Sequence, residues 1–225
     1  MAEERIERAI MCAKCPDKSC YLDPKGKKPN FCPIIKDQAI IENAIESYKG
    51  NLSSFFKASS RQEKDGYIIE AGFQRPYKCR VEEIIDFAKK MQYERLGIAF
   101  CIGFKNEALM LTKILEEKEF EIVSVCCKCG GIDKTDTGLK EEDKIIPGRH
   151  ESTCNPIAQA KLLNSSKTSL NIVLGLCVGH DSLFFKHSEA PSTVLAVKDR
   201  LLGHNPLAAL YSNYYQRIFG IYSQK

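Results

Sequence analysis

Eleven cysteines stand in a chain of 225 residues, and their spacing sorts most of them into two groups. The first is Cys12-Ala13-Lys14-Cys15, then Cys20, then Cys32-Pro33, a C-x2-C-x4-C-x11-CP series. A C-x2-C pair brings two sulfurs to one ion from a single turn, and two further cysteines complete a four-thiolate set. Zinc and a 4Fe-4S iron–sulfur cluster both accept such a set. Zinc pairs tolerate varied spacing, whereas a Cys-Pro pair ends ferredoxin-type runs, although the short C-x2-C-x2-C series of those runs is absent here. The Cys32-Pro33 pair tips the choice toward iron–sulfur. The second group is Cys101, Cys126, Cys127, Cys129, Cys154 and Cys177, with His180, Asp199 and Arg200 following the last of them. Three thiolates with one open coordination position suit a cluster that takes substrate at its unique iron, or a zinc carrying a water.

The rest of the composition narrows these choices. The N-terminal stretch MAEERIERAIMCAKC carries acids, lacks an apolar core and a small-residue cleavage site, and no later run approaches ~18 apolar residues. A soluble cytoplasmic protein is expected, in which thiols stay reduced and serve metal or redox chemistry rather than a disulfide framework. Four histidines and no tryptophan disfavour a zinc enzyme built on His ligands. The net charge of +4, with Lys and Glu interspersed, gives no footprint for nucleic acid or a membrane surface. At 44% hydrophobic residues the chain can bury a full core, so one α/β domain with a small appendage is the natural architecture.

The elements that must position these residues differ between the two groups. A short helix over residues 3–11 leads into Cys12-Ala13-Lys14-Cys15, and between the cysteines lie Asp23-Pro24-Lys25-Gly26 and Pro29-Asn30, turn chemistry with no helix or strand period. A loop of that kind does not order itself by packing, so a metal is the expected source of its structure. Ile34 to Tyr48 and a segment with Leu52, Phe55 and Phe56 read as two helices parted at Gly50-Asn51, and Ser59 to Gly66 as a linker or a helix surface. Residues 1–75 thus form a Cys-rich module with following helices, and residues 76–225 an α/β body.

In the body a helix from Arg80 to about Tyr93 precedes an alternation of strands and helices. The strands are Leu96–Ile102, Glu121–Val125, Leu170–Leu176 and Thr193–Val197. Helices carry Ala108 to Leu115, residues 156–164, 182–187 and 206–218, and a polar excursion fills 132–151. Such alternation predicts an open, mainly parallel sheet of four strands, or slightly more, with helices on both faces. Right-handed crossovers put every strand's carboxyl end on one edge, where ligands of such sheets bind.

That edge gathers Cys101, the Cys126-Cys127-Lys128-Cys129 run, Cys154 and Cys177. The expected second metal site uses one thiol of the run with Cys154 and Cys177, and Cys101 as fourth candidate. Successive strand residues face opposite ways, so Cys126 and Cys127 do not share an ion; Cys127 is chosen and Cys129 stands next. Cys101, with apolar neighbours, reads equally well as a core thiol. His180 is either a ligand or proton donor, or a neighbour of a helix cap. Asp199-Arg200 is either a structural ion pair or a grip on a carboxylate or phosphate. The expected partners are a small anionic or sulfur-containing substrate and an electron-transfer protein. Two other readings stand beside this one: a zinc-organised sensing or interaction module without catalysis, and a thiol redox switch.

The N-terminal cysteine set, Ala99-Phe100-Cys101-Ile102-Gly103, Cys154-Asn155-Pro156-Ile157, Gly175-Leu176-Cys177-Val178-Gly179-His180-Asp181, and Lys198-Asp199-Arg200 with His204-Asn205-Pro206 resemble a prokaryotic family of unknown function labelled as predicted metal-binding proteins. The resemblance covers nearly the whole chain. It implies that the four N-terminal cysteines and the cysteines of the body matter to metal binding, and it implies no activity. The family's strand-two motif is similar to Ser-Val-x-Cys-Lys, which fits Cys127-Lys128 and makes Cys126 and Cys129 departures.

Overall fold

A computed structural model describes residues 10–16, 19–22 and 25–221. The chain divides into two compact units, Met1–Glu63 and Lys64–Lys225. Among the described residues no helix is long and apolar enough to cross a membrane. The helix expected over residues 3–11 lies outside the described residues except for Ile10 and Met11, which are not helical, and Asp23 and Pro24 of the expected turn also lie outside them.

The first unit contains α1 (Ser19–Leu22), α2 (Pro33–Lys36), α3 (Gln38–Lys49) and all of α4 (Ser53–Asp65) but its last two residues, which belong to the second unit. The helix expected from Ile34 to Tyr48 is divided at Asp37, whose backbone leaves the helical region at φ −135°. Asp competes for backbone donors and so favours helix ends over interiors. Gly50 closes α3, and Tyr48 stacks on Phe56 of α4 with ring centroids 4.3 Å apart. Ser59 to Asp65, expected as linker or helix surface, is the latter.

In the second unit, strands β1 (Tyr67–Glu70) and β2 (Phe73–Pro76) form an antiparallel hairpin. Ala71 and Gly72 turn it with φ of 50° and 80°, the left-handed pair that two-residue hairpin loops require. Helix α5 (Arg80–Lys90) opens where the Cys79 N–H donates to the Glu82 carboxylate over 2.8 Å, so Cys79 is a capping residue. The α/β reading holds. Strands β3 (Arg95–Phe100), β4 (Glu121–Cys126), β5 (Leu170–Leu174) and β6 (Ser192–Ala196) form a parallel sheet in the order β4-β3-β5-β6. Between them come α6 (Lys105–Glu116), α7 (Pro156–Ser165) and α8 (His180–His187), and after them α9 (Ala208–Tyr211) and α10 (Asn213–Ile218).

Every residue of β5 is buried, as a central strand covered on both faces must be. Side-chain alternation splits the core accordingly. Ile98 and Ile172 pack with Ile84, Ile85, Ala88 and Leu115 of α5 and α6, whereas Ala99 and Val173 pack with Ala160, Leu163 and Phe184 of α7 and α8. Each fully buried Leu, Ile or Phe contributes about 1.5–3 kcal/mol relative to exposure. Gly97 on β3 leaves room for buried Asn171: a Cβ there would stand 2.1 Å from Asn171 Oδ1, which accepts from Thr168.

Several expected boundaries move: the strand expected to reach Ile102 ends at Phe100, and the helix expected to reach about Tyr93 ends at Lys90. The strand expected to reach Leu176 stops at Leu174, because Gly175 adopts φ +69° and a Cβ on it would lie 2.0 Å from the Phe104 ring. The helix expected over 206–218 is broken at Ser212, extended at φ −87° and ψ 124°; Ser-Asn pairs favour caps over helix interiors. The polar excursion is ordered by charge. Buried Lys144 pairs with Asp133 at 2.8 Å and Glu141 at 2.6 Å, and Lys134 pairs with Glu151 at 2.7 Å.

Candidate functional site

The site of greatest chemical interest lies at the carboxyl edge of the sheet. The Cys101 N–H donates to the Leu174 carbonyl at 3.1 Å, and the Cys127 N–H to the Phe100 carbonyl at 2.8 Å, so both thiols continue the ladder one residue past β3 and β4. The Asn155 N–H donates to the Cys127 carbonyl at 2.8 Å, which draws Cys154 to the same place. Asn155 then caps α7: its side chain accepts from Ala158 N–H at 3.0 Å, with Pro156 in the first turn. The side-chain amide of Gln159, itself fully buried, donates to the carbonyls of Phe100 at 3.2 Å and Val125 at 2.7 Å, tying together the strand ends from which Cys101 and Cys127 project.

Cys127 is the centre of the arrangement. It is 3% exposed, Cys101 is 7% exposed and Cys154 is half-buried. The ionisation of the Cys127 thiol is tied to that of both Cys101 and Cys154, and its Sγ accepts from the Ile102 N–H at 3.3 Å. The shared proton sets the ionisation of the row. Hydrogen bonding from Cys127 holds Cys101 well below the ordinary thiol range, helped by the Gly103 N–H and Lys198. A separate interaction with Cys127 holds Cys154 down, helped by Lys128 and His180. Cys127 is pushed up, because each neighbour is the better thiolate and because it is buried. A thiolate is the nucleophilic and oxidisable form of cysteine.

The other expected residues fall around this row. Cys177 follows β5 beyond the Gly175 turn, and Arg200 Nη2 donates to its sulfur at 3.2 Å. Its carbonyl accepts the N–H groups of His180 and Asp181 at 3.0 and 3.1 Å, starting α8. Asp181 accepts from its neighbour Ser182. The Asp199 carboxylate accepts the N–H groups of Leu201 and Leu202 at 3.1 and 2.8 Å, and its own N–H donates to His204 Nδ1 at 3.1 Å, so Asp199 folds the loop that presents Arg200. Cys126 accepts from Lys128 N–H at 3.5 Å, and Cys129 approaches the Asn155 carbonyl at 3.9 Å. Burial, then the Cys126 charge, pushes the Cys129 thiol up. The structure thus brings Cys101, Cys127 and Cys154 together and sets Cys177 against Arg200.

Lys198 was not among the candidate site residues. Its ammonium lies 4.3 Å from the Phe104 ring centroid, and the His204 ring packs against the same ring at a tilt of 49°, with centroids 4.4 Å apart. It sits just past a strand end, as Cys101 and Cys127 do, and that position is the sequence signal that marks it. Lys128 is held by the Ser152 carbonyl at 2.5 Å.

In the first unit, Cys12, Cys15, Cys20 and Cys32 line one pocket of about 280 Å³, walled chiefly by Tyr21, Pro29, Phe31, Pro33 and Ile34. The Cys15 N–H donates to the Cys12 carbonyl at 3.1 Å, so the C-x2-C pair occupies a single turn. Cys32 precedes α2 with Pro33 in its first turn. The donor set fits a thiophilic metal or cluster in kind and number. Among the described residues, no three Cys, His, Asp or Glu side chains are already disposed to hold an ion.

A family model described as "Protein of unknown function (DUF1847)" matches residues 32–195. The chain belongs to this family. The DUF1847 segment begins at Cys32 and takes in Cys101, Cys127, Cys154 and Cys177. The uncharacterized protein MJ0455 of the archaeon Methanocaldococcus jannaschii is 45% identical over 206 residues, which is 92% of this chain and 96% of the relative. These matches bear out the expected prokaryotic family of unknown function. No solved structure matches the chain.

Proposed function

We propose that this protein binds metal through the thiolates of Cys12, Cys15, Cys20 and Cys32, and that its body acts on a small anionic or sulfur-containing substrate at the row Cys101–Cys127–Cys154. The observation that carries the metal reading is the convergence of four cysteines on one apolar-walled pocket of about 280 Å³. A single zinc needs no such space, since four sulfurs close on it at about 2.3 Å. A 4Fe-4S cluster needs that space, and an apolar shell tunes its potential. Such a cluster would supply one-electron transfer with a protein partner. Zinc would instead tie the loop into a sensing or interaction module.

The body thiols are left out of the metal assignment on electrostatic grounds. Lys198 favours the charged form of Cys101, Lys128 and His180 that of Cys154, and Arg200 holds Cys177. Such a cationic surround opposes a bound cation and favours an anion. Arg200 is suited to gripping a carboxylate, with His180 beside the row and Asp199 in a positioning role.

Anaerobic purification with metal and acid-labile sulfide analysis, together with a visible spectrum, tests the metal assignment. Iron and sulfide with visible absorption are expected. A colourless protein with stoichiometric zinc and no sulfide would establish the zinc module, and a protein free of both would overturn metal binding.

A further inference from the structure

Cys127 has two thiol neighbours, and they differ in access. Cys101 lies beside it across the β3–β4 pairing, one residue past the Phe100–Cys126 register. Paired strands stand about 4.7–4.9 Å apart, within the Cα separation of about 4.4–6.8 Å that a disulfide spans. Cys154 is drawn beside Cys127 by the Asn155–Cys127 backbone bond, packs against the same buried cluster, and has its ionisation tied to that of Cys127. Only Cys154 is half-open to solvent; Cys127 and Cys101 are buried. The row therefore has an outer end and an inner end that share a middle.

We propose that the row is a thiol–disulfide relay for small anionic disulfides, in which Cys154 takes the substrate, Cys127 resolves it, and Cys101 draws the new disulfide inward. This rests on the reading of the body thiols as a site for an anionic, sulfur-containing substrate and is independent of metal in the first unit. In the first step the Cys154 thiolate attacks one substrate sulfur. The substrate S–S bond breaks, a mixed disulfide forms on Cys154, and one thiolate leaves. Cys127 then attacks the Cys154 sulfur, releasing the second thiolate and closing a Cys127–Cys154 disulfide. Finally Cys101 attacks Cys127, forming Cys101–Cys127 and freeing Cys154. The substrate disulfide gains two electrons from two protein thiols, whose two protons accompany the departing thiols. The Ile102 N–H, 3.3 Å from Cys127 Sγ, is placed to support charge on the middle sulfur during each exchange. Lys128 and His180 beside Cys154 select for negative charge.

Dithiodiglycolate, a dianionic disulfide, and hydroxyethyl disulfide, a neutral one, serve as probes on the full chain under anaerobic conditions. Thiol pairing is read by acid quench, alkylation and peptide mass mapping. Wild type is expected to pass through modified Cys154 to a final Cys101–Cys127 disulfide with Cys154 again alkylatable. Cys101→Ser is expected to stop at Cys127–Cys154, and Cys127→Ser to retain the mixed disulfide on Cys154 with Cys101 untouched. The dianionic probe is expected to react about tenfold faster at low salt, with the advantage shrinking as salt rises. Cys127 and Cys101 remaining alkylatable in wild type after Cys154 has reacted would overturn the relay, and this outcome requires no variant to fold. Equal rates for the two probes would overturn the anionic substrate class. Metal assayed on the same samples separates the two readings: metal lost on Cys127→Ser would place it in the row and end the relay, whereas absence of metal throughout would end only the metal assignment.

Discussion

The two cysteine groups solve the problem of holding thiols in opposite ways. In the body, each sulfur is delivered by a strand end or a helix start, and the backbone bonds of Cys101, Cys127 and Asn155 fix the row before any ligand arrives. In the first unit the four cysteines sit on short turns around a pocket, and turns contribute little packing of their own. A third segment sharpens the contrast. The excursion over 132–151 is as polar as the N-terminal loop, yet a buried Lys144 with Asp133 and Glu141 organises it. Polar loops need an internal tie; in the excursion it is built from charge, and in the N-terminal loop the proposed metal would supply it.

The largest expected effect follows from this difference. Replacing Cys15 or Cys32 by Ala should abolish metal in the first unit and leave the cooperative unfolding of the body in place, measured by metal analysis and by denaturation followed with circular dichroism. Loss of the body transition in both variants would break the comparison. Next comes Gly175→Ala. The left-handed backbone and the Phe104 ring both oppose a Cβ, so stability should fall by about 2–4 kcal/mol in denaturant unfolding.

A smaller effect concerns ionisation. The Cys127 hydrogen bond, with Lys128 and His180, brings Cys154 down to about 5, so its alkylation should stay fast as pH falls through neutrality and slow only near that value. Cys127→Ala removes the leading cause. The inflection should then move to higher pH, and once it lies above pH 6, alkylation at pH 6 should drop by about tenfold for every further pH unit that the inflection climbs. An unmoved profile would mean that Cys127 does not share its proton.

The smallest effect is acid loosening of the 132–151 segment. Bonds from Lys144 and from the Thr135 and Glu151 N–H groups hold the Asp133 carboxyl below its ordinary value of 3.8. A depressed carboxyl stabilises the fold above its unfolded-state value and loses that contribution as pH falls below it. Amide exchange at Thr135 and Glu151, corrected for intrinsic rates, should therefore quicken below about pH 4. Lys144→Met should produce the same loosening at neutral pH.

The four parallel strands were legible because their apolar, β-branched runs admit little else, and the edge rule then gathered Cys101, Cys127 and Cys154. Pairing Cys177 with Arg200 was not legible, since it depends on the Gly175 turn, which in turn accommodates the ring of Phe104 from far along the chain. The hairpin at Tyr67–Pro76 escaped notice because exposed Ile69 and Phe73 carry no clean in–out pattern. In the C-terminal segment, hydrophobic periodicity over residues 206–218 concealed the interruption that Ser212-Asn213 introduces. The excursion read as polar and irregular, and two of its ion pairs, Lys144–Asp133 and Lys134–Glu151, join residues too far apart for any local pattern to announce them.

Gln159 adds a mechanical aspect to the row. Its amide bridges the ends of two strands, and it keeps that place although its Oε1 finds no partner among the described residues. An unsatisfied buried acceptor costs about 1–3 kcal/mol, which an apolar residue of the same shape would avoid. The amide acts as a crossbar that fixes the gauge between Cys101 and Cys127 independently of their sulfurs. A bond between those sulfurs then forms or breaks on a frame that does not splay, which keeps the reorganisation of each exchange small in either direction.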